Sequence, residues 1–174
     1  MRRLLLLRHA KSAWPDGVDD ADRALAPRGR DAAPRMGAYL AEQNLIPDLV
    51  LVSDARRARE TWDLVRRALP ERPMQIEPRI YEAPTDRLLT ILKETGDEAE
   101  TLLMIGHNPG FASLARTLAG DGDPDGLARL AEKFPTAGLA VLTFPVERWN
   151  AVAPRSGRLE RFVTPKSLGA GEDD

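Results

Sequence analysis

The chain holds two histidines, His9 and His107, and each closes an apolar run: Leu4-Leu5-Leu6-Leu7-Arg8-His9 in one case, Leu102-Leu103-Met104-Ile105-Gly106-His107 in the other. A short apolar run that ends in polar residues and then opens toward a helical pattern is the mark of a buried parallel strand, and ligands in open α/β sheets bind beyond the carboxyl ends of such strands. Both imidazoles are therefore expected at one crevice. Arg8-His9-Ala10-Lys11-Ser12 brings side chains and turn N–H groups to a strand end where they can converge on an anion, and a phosphate would suit them. Val52-Ser53-Asp54-Ala55-Arg56-Arg57-Ala58-Arg59-Glu60-Thr61 repeats the arrangement: a strand end opens a helix and carries a cluster of guanidiniums, which can clamp a phosphoryl group through paired hydrogen bonds.

The elements that must position these residues follow from periodicity. Strands are expected at Arg3 to Leu7, Leu49 to Ser53, Thr101 to Ile105, Leu139 to Phe144 and Leu159 to Val163, with a weaker one near Gln75 to Glu77. Between them, a helix from about Arg28 to Gln43 turns Ala33, Met36 and Leu40 inward, with a late start or a kink expected at Pro34. A second helix from about Asp54 to Leu69 turns Ala58, Trp62, Val65 and Leu69 inward. A third follows Thr85 as its cap, carries Leu88, Leu89 and Leu92 on one face, and stops at Gly96. The clearest has Asn108 as N-cap, Pro109 in first position, Phe111, Leu114, Ala115 and Leu118 on one face, and Gly120 at its end. Strands alternating with helices predict a three-layer α/β/α sandwich around a mostly parallel central sheet.

At 174 residues the chain is one ordinary domain, expected over 1–168, long enough to bury roughly 70% of its unfolded surface. Gly169 to Asp174, small and acidic, are expected to be a disordered tail. The absence of cysteine excludes disulfides, thiolate metal sites and cysteine nucleophiles, and it fits a cytoplasmic setting. A net charge of −2 gives no overall attraction to nucleic acid or to anionic lipid. The four leucines after Met1-Arg2-Arg3 are too few for a signal peptide or a membrane span. Arg56, Arg59, Arg66 and Arg67 have no aromatic residues among them and are expected on a solvated helix face, while Trp14, Trp62 and Trp149 are expected in the core or at its rim.

These segments resemble the histidine phosphatase superfamily, whose branches include the phosphoglycerate mutases. Its signature tripeptide Arg-His-Gly appears as Arg8-His9-Ala10, a variant common in its small members. Its Ser-Pro-x-x-Arg-Ala-x-x-Thr pattern is met by Ser53 to Thr61, with Asp54 for proline and Glu60 for glutamine, which makes Arg57 the matched arginine. Its Gly-His-Asn-Pro-Gly context is reproduced by Gly106 to Gly110. Arg8-His9-Ala10-Lys11-Ser12-x-Trp14, the Pro135-Thr136-Ala137 turn and Phe162-Val163-Thr164-Pro165 are similar to the short SixA-type branch, whose named activity is phosphohistidine phosphatase.

The resemblance implies a phosphoglycerate mutase-like fold and a metal-independent phosphatase without a cofactor. His9 would attack phosphorus as a neutral imidazole and carry the phosphoryl group, its tautomer fixed by a backbone carbonyl, while Arg8, Arg57 and His107 hold the non-bridging oxygens. Arg8 and Arg57 would depress the titration of both imidazoles, and His107 would become cationic once phosphate is bound. The family places a carboxylic acid between its second arginine and second histidine, and Tyr81-Glu82-Ala83 matches it, making Glu82 either the general acid or a solvated loop carboxylate. Ser12 stands either as a further donor to phosphate or as a plain turn serine. Expected partners are a phosphohistidine-bearing protein or a small phosphate ester, with neither nucleic acid nor membrane. About 25 residues on either side of Glu82 leave no room for a long cap, which favours hydrolysis over mutase chemistry. A non-catalytic phospholigand module would need Arg8, Arg57 and His107 but not His9.

One competing pattern is set aside. Asp121-Gly122-Asp123-Pro124-Asp125-Gly126 with Glu132 spells a calcium loop of the EF-hand kind, but Pro124 stiffens it, Arg129 stands where a ligand is needed, and no second hand accompanies it. The simpler expectation is that Gly120 ends one helix and Asp123 caps the next, with Pro124 in its first position.

Overall fold

A computed structural model describes residues 1–169. Seven strands, β1 (Arg2–Arg8), β2 (Leu49–Val52), β3 (Met74–Ile76), β4 (Thr101–Gly106), β5 (Ala119–Gly122), β6 (Leu139–Phe144) and β7 (Gly157–Val163), join in one sheet of order β3-β2-β4-β1-β6-β7-β5. The pairs β2–β3, β2–β4, β1–β4 and β5–β7 are parallel, and β6 runs antiparallel to both β1 and β7.

The central strands are uniformly apolar because both of their faces are covered. Leu4, Leu6, Leu102 and Met104 pack with Leu88, Ile91 and Leu92 of α3 (Thr85–Lys93), Phe111 and Leu114 of α4 (Gly110–Leu118) and Leu130 of α5 (Pro124–Glu132). The alternate residues Leu5, Leu7, Leu103 and Ile105 pack with Ala33, Met36 and Leu40 of α1 (Pro27–Glu42) and Ala58, Trp62 and Val65 of α2 (Arg56–Val65). The result is the expected three-layer sandwich with a phosphoglycerate mutase-like sheet. No helix among the described residues is long and apolar enough to cross a membrane.

Several boundaries differ from expectation for local reasons. Helix α1 starts at Pro27 and carries Pro34 in its interior. The ring lies on the exposed face, where water can serve the carbonyl that loses its partner, and the buried face holds the helix together. Helix α2 closes early into a 3₁₀ turn over Arg66–Ala68. Pro84, not Thr85, caps α3, and the helix yields to Glu94 before Gly96 is reached. Pro109, joined to Asn108 by a cis peptide, stands at the N-cap of α4, and the Asn108 side chain accepts from the Ala112 N–H at 3.3 Å. Gly120 does not end that helix but lies in β5, a strand of Ala-Gly-Asp-Gly with no β-forming residue, held by its pairing with β7.

Asp123 does cap α5, accepting from the Gly126 N–H at 2.8 Å, with Pro124 first in the helix. The segment Asp121 to Glu132 is thus an edge strand followed by a helix, in which Asp125 pairs with Arg129. Trp62 and Trp149 are buried as expected, whereas Trp14 is 75% exposed. Gly169, the first residue of the expected tail, closes a 3₁₀ turn; 170–174 lie outside the described residues.

Candidate active site

In the β1–β4 ladder Arg8 stands opposite Gly106, so the residue that follows each strand is a histidine and the two enter the same space side by side. The His9 and His107 rings are 5.2 Å apart, centroid to centroid, close to the spacing of neighbouring strands. Both are buried, and so is Arg57 from the start of α2. The β1 turn is clamped from two sides. The Ala137 N–H reaches the carbonyls of Arg8 and His9 from a residue held at φ 58°, and the Ala10 N–H donates to Thr61 Oγ1 of α2 at 3.0 Å. Gly29 lets α1 approach this turn, since a Cβ there would stand 2.1 Å from the Lys11 carbonyl oxygen.

The tautomer of His9 follows from its hydrogen bond. His9 Nδ1 lies 2.8 Å from the Ala10 carbonyl, which can act only as an acceptor, so Nδ1 carries the proton and Nε2 keeps its lone pair. The backbone carbonyl expected to fix this ring is therefore that of Ala10. His107 Nε2 lies 2.7 Å from Ser53 Oγ, which itself accepts from the Ala55 N–H at 3.3 Å. Ser53 Oγ can then give its own proton to His107 Nε2, and in that tautomer Nδ1, which is buried with no partner, carries the ring proton. Arg57 Nε is likewise buried and unmatched.

Burial, the largest cause, and the repulsion of Arg8, Arg57 and His107 hold His9 well below the usual imidazole range, against the opposing pull of the Ala10 carbonyl. His107 is pushed down to about 4, first by burial and then by Arg57, with Arg8 and Arg23 adding to it and Asp20 opposing. Both rings are therefore neutral near pH 7.

A cleft of about 670 Å³ opens over these groups, walled by Arg8, Ser12, Arg57 and Glu82 among others. Arg8 is anchored through Nη1 to the Phe134 carbonyl at 3.0 Å, and the Asn108 side chain donates to the same oxygen at 2.8 Å. Ser12 is buried and its Oγ accepts from Arg23 Nη1 at 2.7 Å, so its hydroxyl proton remains available to the cleft. Glu82 is exposed at the mouth, in the left-handed region at φ 53°. Glu60, one of the departures from the family pattern, accepts from the Leu25 N–H at 2.8 Å and so ties down the loop that precedes α1.

Three residues of the cleft have no counterpart in the sequence-derived set. Asp20, in a 3₁₀ turn, accepts from Arg23 Nε and Arg57 Nη2, each at 3.0 Å, and from the Tyr81 hydroxyl, while its main-chain carbonyl accepts from Arg57 Nη1 at 2.7 Å. The Tyr81 hydroxyl foremost, then Arg23 and Arg57, hold the Asp20 carboxyl far below the usual carboxylate range. Tyr81 in turn is pushed up to about 12, chiefly by Asp20, with burial and the nearby Glu82 adding to it. The Tyr81 ring meets His107 edge-on at 5.6 Å, and the Arg23 guanidinium stacks 3.5 Å over the Trp14 ring at the rim.

Comparison with known proteins bears on this geometry. A family model described as histidine phosphatase superfamily (branch 1) matches residues 4–100. An uncharacterized protein of Mycobacterium tuberculosis is 39% identical over 162 residues, which cover 92% of this chain and all of that protein. A crystal structure from Agrobacterium tumefaciens, provisionally designated phosphohistidine phosphatase SixA, is 32% identical and superposes with a TM-score of 0.80 over 94% of this chain and 98% of its own. A protein histidine phosphatase SixA complexed with tungstate has a TM-score of 0.76 over 95% of this chain and 99% of that one, and at 22% identity it shows the shared fold.

Proposed function

The chain belongs to the histidine phosphatase superfamily, and from that membership we propose that it is a metal-independent phosphatase acting through a phosphohistidine formed on His9, with a phosphohistidine on another protein as its substrate. The observation that carries this reading is the fixed tautomer of His9: Nδ1 is held by Ala10, the ring is neutral, and the lone pair on Nε2 belongs to a buried group that no other hydrogen bond explains. In the first step that pair forms a bond to phosphorus, and the bond from phosphorus to the departing group breaks. In the second step water attacks, the His9–phosphorus bond breaks, and inorganic phosphate leaves. Arg8, Arg57 and the Nδ1–H of His107 supply the donors for the transferring oxygens at the floor of the cleft. Glu82 at the mouth is the carboxyl group that would give its proton to an alkoxide leaving group and, as the carboxylate so formed, accept one from the attacking water.

The preference for a protein-borne phosphoryl group is supported by the shape of the site. Its mouth is framed by short turns and an exposed Trp14, and no inserted cap lies over it among the described residues. The likeness to the provisionally designated SixA structure supports the same choice. The test is a rapid quench with labelled phosphohistidine peptide and with an aryl phosphate, with and without EDTA. An acid-labile, alkali-stable phosphoenzyme is expected, absent in His9→Ala and indifferent to chelation. Label on serine or aspartate, or activity that EDTA removes and magnesium or calcium restores, would overturn the mechanism. Turnover of one small ester alone, with phosphohistidine inert, would leave the mechanism and overturn the substrate.

A further inference from the structure

A pocket built to hold phosphate has an anion fixed against its clamp. The Asp20 carboxylate touches Arg57, Arg23 and the Tyr81 hydroxyl, and Glu82, the residue after Tyr81, lines the same cleft. Four cations of the cleft, Arg8, Lys11, Arg23 and Arg57, are thus opposed by two carboxylates, Asp20 and Glu82. Bracing Arg57 does not require this charge, because the main-chain carbonyl of Asp20 already holds Nη1 at 2.7 Å. A fixed negative charge weakens the hold on every phosphate, so its effect falls on selection among phosphates.

We propose that Asp20, with Glu82 in the same cleft, is a charge filter that admits a phosphoryl group attached to a neutral or cationic portion and turns away one whose attached portion carries a carboxylate. The proposal rests on the phosphatase reading above and names the substrate class it selects: N-phosphorylated imidazoles. Such a ring leaves once its second nitrogen is protonated. As the phosphorus–nitrogen bond breaks, the electron pair returns to the ring, which departs as neutral imidazole without a further proton donor. An N–H of the phosphoimidazolium is a hydrogen-bond donor bearing positive charge, and the carboxylate wall is its complement.

The experiment compares wild type with Asp20→Asn on two matched pairs, glycerol 3-phosphate against 3-phosphoglycerate, and phosphohistidine peptide against p-nitrophenyl phosphate, together with inhibition by inorganic phosphate. Any loosening of Arg57 lowers all four rates alike, so the ratios report the filter. Wild type should prefer glycerol 3-phosphate over its carboxylated partner, and the substitution should shrink that preference by on the order of tenfold, a usual size for one partly screened charge. The preference for phosphohistidine over the aryl ester should fall by a similar factor, and inorganic phosphate should inhibit more tightly. Tyr81→Phe, which strips a hydrogen bond from the carboxylate, should sharpen the first ratio, and it serves as the second probe if Asp20→Asn folds poorly. Unchanged ratios with weaker phosphate inhibition would show that Asp20 merely braces Arg57 and would overturn the filter. If phosphohistidine is inert in wild type while esters turn over, the proposed substrate fails, and the two glycerol-derived phosphates still decide the filter.

Discussion

Replacing His107 by glutamine should change the acid sensitivity of folding by an amount that the structure sets. The folded protein holds this imidazole down to about 4, against an ordinary value of 6.5 that the unfolded chain recovers. The unfolded state therefore takes up a proton as pH falls through 6.5 while the folded state resists until about 4, so stability drops across that window and the loss is complete below it. The full gap of about 2.5 pH units corresponds to about 3 kcal/mol, and roughly 2.5 kcal/mol of it should be spent between pH 7 and pH 4.5. His107→Gln has no such titration and can keep the hydrogen bond to Ser53. Whatever it costs at pH 7, wild type should lose about 2.5 kcal/mol relative to it by pH 4.5. Relief of the repulsion that His107 exerts on His9 acts in the same direction. Urea unfolding followed by tryptophan fluorescence at several pH values measures the difference directly. Saturating sulfate should shrink the wild-type loss, because a bound anion favours the protonated ring. Parallel stability curves for the two proteins would refute the reasoning, since they would mean that His107 titrates as freely in the folded state as in the unfolded one.

Arg57→Lys keeps the charge but not the planar fork, and should lower kcat/KM by about 10²–10³ with little change in Tm; an activity within a factor of a few of wild type would remove Arg57 from the phosphate clamp. Glu82→Gln should slow alkyl phosphates much more than aryl phosphates, whose leaving groups need little help from an acid, and a leaving-group series with equal losses throughout would confine Glu82 to binding or structure.

The parts of the fold that could be read from the sequence are those in which one face decides. Leu4 to Leu7 and Leu102 to Ile105 are apolar at every position because helices cover both sides, and that pattern put His9 and His107 at strand ends facing one crevice, the adjacency of the two strands coming only from the structure. Arg57 was legible through the residues around it, Ser53 and Thr61, which the structure shows bonded to His107 and to the β1 turn. Asp20, Arg23 and Tyr81 were not. Asp19-Asp20-Ala21-Asp22-Arg23 has the look of a solvated charged loop, and its partners stand 37 and 61 residues away in Arg57 and Tyr81, a distance that no local period bridges. Strand β5 was invisible for a related reason, because Ala-Gly-Asp-Gly becomes a strand only when β7 is there to pair with it. Helix ends drifted where proline intervened, at Pro84 and Pro109, because a residue without an N–H can occupy either the cap or the first turn.

The opposition of Arg8 and Gly106 in the central ladder also governs when the site comes into existence. The two imidazoles belong to segments nearly a hundred residues apart, and what joins them is the pairing of β1 with β4, a contact that a growing chain cannot make until both strands have emerged. A nascent chain that stops before β4 owns one histidine but not the paired site, which is completed when β4 docks beside β1. The same join gives the protein a natural seam: cut in the turns between α3 and β4, it would separate into one piece bearing His9 and Arg57 and another bearing His107, neither able to work alone and each carrying one half of the ladder that aligns them.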